Sequence, residues 1–328
     1  MSLNVRSIPF SALVLLTLAH TTAWGADKQT QAVMWSEPKD WASRNLYYGA
    51  GGKRHEPHGP FVFVKEDRGG TNPKFVVRDI DGVEWKVKLG LEARSETAAS
   101  RIVWAAGYAT DEDYLIRDLQ IGGMPRHLHR GQKLIGPGGT VHNARLERER
   151  EGEKKTGTWR WEVNEFAGTR EWNGLRVLMA LVNNWDLKDV NNAVYHTGSK
   201  RIYMVSDLGA GFGSAGRSWP AGRAKDNLDS YKRSKFIRRL TPTTVDFQTP
   251  ARPALFYVVN PKAYISRVRM ESLGRDVPRA DAKWVGQLLA RLSPSQIRDA
   301  FRGAGYSAEE IEEFSRVLEE RIALLTDL

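Results

Sequence analysis

The chain has 328 residues, 41% of them hydrophobic and 27% charged, with a formal net charge of +10 and no cysteine. That balance argues against general disorder, and the length allows one large or two ordinary domains. Without cysteine there are no disulfides, no thiol nucleophile and no Cys-based zinc or iron–sulfur site.

The first 25 residues read as a targeting segment. Arg6 supplies a positive start, IPFSALVLLTLA an apolar run too short to cross a bilayer, and Ala23 and Gly25 a small-residue cleavage site. The expectation is a cleaved signal peptide over 1–25 and a periplasmic or secreted protein with no transmembrane segment after signal removal. Residues 45–75 are rich in Gly and Pro around one strand candidate, PFVFVKE. KFVVRDI and VEWKVKL then flank Asp81-Gly82, a dipeptide favoured in tight hairpin turns. Alternation puts Trp85, Val87 and Leu89 on one face of the second strand and Lys86 and Lys88 on the other.

After Gly90, SETAASRIVWAAGY predicts a helix capped by Ser95, with Glu96 in its first turn and Gly107 as its stop. Short strands and turns are expected from 111 to 170. There RHLHR, with His127 and His129, and the nearby His142 lack an evident acidic third ligand for a metal and read as solvated or core histidines. Trp159 and Trp161 alternate as core strand residues do. A long helix is predicted from Thr169 to about Asn183, with NNWDLKDVNN as its exit. NAVYH and KRIYMVSDLG form a strand pair across TGS.

Between Arg217 and Arg239 eight Lys and Arg face only Asp226 and Asp229, which suits either an anionic partner or plain solvation. No nucleic-acid-binding pattern accompanies them, so nucleic acid is not expected as a partner. Ser293-Pro294-Ser295-Gln296 and Ser307-Ala308-Glu309-Glu310 are capping-box starts. The apolar stripe of the last helix, Ile311 to Leu325, is too short to demand a coiled-coil partner, and a monomer is expected.

One set of residues suits phosphoryl transfer. That chemistry needs a carboxylate to orient the attacking hydroxyl, a cation to balance charge on the moving group, and an Asn and a second carboxylate to hold magnesium. Asp186, Lys188, Asn191 and Asp207 supply that set on two loops. DLKDVN matches the Asp-Leu-Lys-x-x-Asn of a kinase catalytic loop, and DLG stands where the metal-binding Asp-Phe-Gly follows it. WKVKLG and SETAASRIVWAAGY stand, in order, where the nucleotide lysine and its glutamate partner are expected. Over roughly residues 60–275 the chain thus resembles the protein-kinase-like fold, in the style of atypical kinases. The resemblance implies an α+β, two-lobed protein-kinase-like fold with a small C-terminal helical extension. Its parts would be a β-rich nucleotide lobe over 26–140, a larger helical lobe over 141–275, and the extension over 276–328. It implies ATP and Mg²⁺ (or Mn²⁺) as cofactors, Lys88 or Lys86 as nucleotide lysine and Glu96 as its partner. Asp186 becomes the base, with Lys188 beside it, and Asn191 and Asp207 the metal ligands. EDRGGTNPKF would replace a Gly-x-Gly-x-x-Gly loop, which the chain lacks, as it lacks an Ala-Pro-Glu after DLG. The acceptor is unnamed. A non-catalytic, kinase-like binding or structural protein of the envelope is the alternative, in which these residues are turn, cap and surface groups.

Overall fold

The computed structural model describes residues 30–70, 72–150, 154–213, 225–250 and 260–328. The expected signal peptide, and Arg217 and Arg223 of the basic stretch, lie outside the described residues.

After a short strand β1 (Gln31–Val33), the chain builds a closed barrel from β2 (Phe61–Asp67), β3 (Lys74–Arg78) and β4 (Glu84–Lys88), interrupted by helix α1 (Glu92–Ala105) and completed by β5 (Asp113–Gly122) and β6 (Thr140–Arg148). The order is β2-β3-β4-β6-β5, closed by a parallel contact at Phe61↔Ile121 and Val62↔Gly122. Alternation fills the inside with Phe75, Val77, Trp85, Val87, Leu119 and Leu146, all buried.

Three expectations change here. The 140/141 boundary falls at the start of β6, which pairs with both β4 and β5, so the barrel unit runs to 148. The hairpin is not a two-residue turn. Gly82 has φ +83 while Asp81 does not enter the left-handed region, and the Asp79 carboxylate accepts the Asp81 and Val83 N–H groups and so organises a wider turn. Helix α1 begins a turn before Ser95. Gly90, at φ +93, turns the chain, the Ala93 N–H bonds to its carbonyl, and the buried Ser95 hydroxyl donates to the Gly209 carbonyl at 2.7 Å.

The second unit holds β7 (Lys154–Gly157), α2 (Arg170–Leu181), β8 (Asn192–Thr197) and β9 (Lys200–Val205), in a sheet ordered β1-β9-β8-β7. β1 pairs in parallel with β9, so the chain's first described strand serves this unit and not the barrel. Thr169 caps α2 by accepting the Trp172 N–H, and Leu175, Leu178 and Met179 bury its inner face. Trp159 and Trp161 are buried as expected but sit in a loop, 4.8 Å between ring centroids.

The remaining elements are α3 (Leu228–Arg233), β10 (Ile237–Leu240), β11 (Thr244–Phe247), α4 (Pro261–Gly274), β12 (Val277–Pro278), α5 (Arg279–Leu289), α6 (Pro294–Arg302) and α7 (Ala308–Thr326). Both capping boxes form. The C-terminal helices are built into the core. Phe301, Tyr306 and Phe314 of this region pack around Phe212 and Tyr231. The same apolar cluster reaches Ala98, Ile102 and Val103 of α1 and Leu178 of α2. Helix α1 is therefore wedged between the barrel and everything that follows it. Among the described residues, no helix is long and apolar enough to cross a membrane.

Candidate functional site

A cleft of about 360 Å³ opens between the barrel and the β8–β9 sheet. Its upper wall is the outward face of β4. The period of two that sends Trp85 and Val87 into the barrel turns Lys86 and Lys88 toward the cleft. Lys88 is buried, and its Nζ lies 2.8 Å from Glu96 Oε2, 2.6 Å from Asp207 Oδ1 and 2.9 Å from Glu92 Oε2. Lys86, on the same face, pairs instead with Glu147 and Glu149, 3.4 Å from both. Of the two lysines left open by the sequence, Lys88 faces Glu96.

Burial by itself would discharge Lys88, and Arg145 adds to that, but Glu96, Asp207 and Glu92 outweigh both and hold its pKa above the usual lysine range. Burial raises the Glu96 carboxyl to about 7, with Asp113 and Asp207 adding to the shift and Arg145 and Lys88 opposing it. Glu92 goes the opposite way. Burial would raise it, yet Lys88 and Lys225 bring it down to about 2. Arg145, buried on β6, lies 3.4 Å from Glu96 and binds Asp113 and Glu147. Five carboxylates thus surround Lys88 and Arg145, and even with Lys225 on Glu92 and Lys86 on Glu147 the acids exceed the bases by one. A bound cation would relieve that surplus.

The lower wall is the exit of α2. Asn183, at φ +55, ends the helix in the left-handed region, and its amide donates to Gly213 O and Ser234 Oγ. Trp185 and Leu187 are buried anchors, and Asn192 donates to Trp159 O. Asp189 accepts from the Trp161 N–H and pairs with Arg269 of α4. These groups hold the loop, which leaves Asp186, Lys188 and Asn191 to face outward. Lys188 and Asn191 line the cleft, and Asp186 is reached through Lys188, whose Nζ lies 2.9 Å from its Oδ2. Among the described residues, the buried Asn191 amide nitrogen has no hydrogen-bond partner. Asp207, two residues past β9, sits in the left-handed region at φ +56, a conformation uncommon for a non-glycine residue, and its carboxylate meets Lys88.

Gly70, Asn72 and Lys74 of the EDRGGTNPKF loop also line the cleft, and Asn72 donates to Glu92 Oε2 at 2.5 Å. Arg145, which lines the cleft, and Glu92 and Lys225, which join the ion pairs around Lys88, were not assigned to the site by the sequence reading. Glu92 stands four residues from both Lys88 and Glu96, a helical spacing hidden by starting α1 at Ser95. Arg145 and Glu147 alternate with buried Ala144 and Leu146, which marks a strand with one charged, occupied face. His127 and His129 sit in a loop outside any strand, and His142 pairs with Asp118 on the surface. Among the described residues, no group of three or more His, Asp or Glu could by itself hold a metal ion. Of the described basic residues after DLG, Lys225 is paired with Glu92, Lys232 with Glu313 and Arg239 with Asp246.

A barrel carrying a lysine, a helix carrying its glutamate, an Asp-x-Lys-x-x-Asn loop and an Asp-Leu-Gly strand end, gathered on one cleft, make this a two-lobed α+β protein of protein-kinase-like fold. No family model matches the chain, and no curated protein matches it. Among solved structures it is similar to a Helicobacter pylori proinflammatory kinase, CtkA, at 12% identity and a TM-score of 0.45, covering 81% of this chain and 95% of that one. It is also similar to the golgi casein kinase, at 10% identity and a TM-score of 0.34, covering 83% of this chain and 73% of that one.

Proposed function

We propose that the protein is an exported, monomeric, kinase-like phosphotransferase that moves the γ-phosphoryl group of ATP to an acceptor the site does not name. The observation that carries this reading is Lys88 held at once by Glu96 and Asp207, because one bound nucleotide can touch a lysine and a carboxylate only if they share a gap. Lys88 holds the phosphates and Glu96 keeps it aimed. Asp186 orients the acceptor hydroxyl and accepts its proton, while Lys188 beside it balances charge on the moving group.

Magnesium or manganese fits the donor set. Asp207 offers a carboxylate that is 39% exposed, and Asn191 lines the same cleft with an amide oxygen of the kind such ions take. Two protein ligands suffice where substrate phosphates complete the shell, as is usual for magnesium. Bound there, the ion would neutralise phosphate charge. A cleft of about 360 Å³ is within the usual size of a small-molecule site.

The test is incubation with γ-labelled ATP and Mg²⁺ or Mn²⁺, following label into protein or into inorganic phosphate. Transfer by the wild type and its loss in Asp186→Ala support the reading. Binding of nucleotide with no transfer under either metal supports the non-catalytic alternative.

A further inference from the structure

The inner end of the cleft holds a carboxyl group that the phosphoryl chemistry does not use. Asp111, between α1 and β5, is only 7% exposed and lines the cleft. Around it stand Lys86 of β4, Arg145 and Glu147 of β6, Asp113 of β5, Arg150, and Tyr195 of β8. Such an inner compartment is polar, where an aromatic ring bound by stacking alone would want an apolar slot.

Its position relative to Lys88 matters. Lys86 and Lys88 are two residues apart on the same face of β4, so the compartment begins roughly 7 Å along the strand from the lysine that faces Asp207. At the other end, Glu92 bridges Asn72, Lys88 and Lys225 and blocks that direction. A nucleotide with its phosphates at Lys88 therefore extends its base inward, toward Asp111.

Resting on the nucleotide reading above, we propose that Asp111 is a specificity-determining residue that hydrogen-bonds the edge of the nucleobase. Burial, then Glu147 and Asp113, push its pKa well above the carboxylate range, with Arg145 and Arg150 opposing. That direction favours the protonated carboxyl, which presents one O–H donor beside one carbonyl acceptor. That pair complements a base edge with one acceptor next to one donor. Adenine offers it through N1 and the N6 amine, and guanine through O6 and N1–H.

The experiment is calorimetric titration of wild type, Asp111→Ala and Asp111→Asn with the magnesium complexes of ATP, GTP and tripolyphosphate. ATP against GTP tells which base edge is read. The Ala variant is expected to bind the preferred nucleotide about tenfold more weakly, one such base contact being worth that order. Tripolyphosphate, which has no base, should bind wild type and variant alike. Asn, which also sets a donor beside an acceptor, should restore nucleotide affinity. Asp111→Ser serves in place of Ala should the latter not fold. Unchanged nucleotide affinity in the Ala or Ser variant overturns the inference, as does an equal loss for tripolyphosphate, which would make Asp111 structural. No binding of any of the three by wild type overturns the nucleotide reading itself and this inference with it.

Discussion

The upper and lower walls of the cleft are built by different means. Above, Lys88 and Glu96 are buried and locked into a network of ion pairs spanning β4, α1, β6 and the Asp207 turn. Below, Trp185, Leu187, Asn183 and Asp189 fix the backbone of the loop, while Lys188 is 61% exposed and Asp186 32% exposed. The upper wall joins binding to folding, because its charges lie where an unpaired ion is expensive. The lower wall keeps its reactive groups at the water's edge, where an acceptor can arrive. Substitutions above should therefore disturb stability and binding together, and substitutions of the reactive groups below, Asp186 and Lys188, should reach the chemistry alone.

The largest separation is expected at Asp186. As a positioned base it should contribute about 10²- to 10⁴-fold in rate. Asp186→Ala should lose that factor in a transfer assay and keep both nucleotide affinity and melting temperature. A fall in melting temperature equal to that of an upper-wall variant would erase the contrast. Lys88→Met should be the inverse case. Removing one partner of a buried ion cluster costs about 3 kcal/mol or more, and the variant should also lose nucleotide binding, both readable by thermal melting.

A pH profile sharpens the comparison further. The Glu96 pKa is raised from 4.5 to about 7, so between those values the folded state binds more protons than the unfolded one. Stability should fall as pH rises through that window, and Glu96→Gln should flatten the profile. Glu92, depressed to about 2, works in the opposite sense below 4.5, where acid removes its contribution. The smallest effect is expected at Asp189, which ties the catalytic-loop candidate to Trp161 and Arg269. Asp189→Ala should cost about 1 kcal/mol in denaturant unfolding and lower transfer without changing nucleotide affinity.

How much of this was readable in advance follows the same division. Motifs local in sequence came through: the β4 alternation, α2 with its Thr169 start, the Asp-x-Lys-x-x-Asn loop and both capping boxes rest on spacing and on short-range hydrogen bonds. Groups that matter through distant partners did not. Nothing near Arg145 says that it faces Glu96, and nothing near Asp111 says that it lines a cleft. The choice between Lys86 and Lys88 was undecidable from alternation, which places both on one face, and rests on where α1 lies. The 140/141 boundary failed for a similar reason, since only pairing with β4 and β5 assigns β6 to the barrel. The C-terminal helices looked like an appendage because their caps are strong local signals, while their packing against α1 and α2 is long-range.

The central claim is that Lys88 and Asp207 flank one site for a metal-bound nucleotide, and thermal melting with Mg·ATP or Mn·ATP tests it most directly. Ligand that binds only the folded state at a hundred times its Kd adds about 2.7 kcal/mol of stability. Wild type should melt higher with the metal complex, and Asp207→Ala should stay folded yet lose the rise. A wild type whose melting temperature is unmoved by ATP with either metal would make the Lys88–Asp207 pair a structural salt bridge and contradict the account.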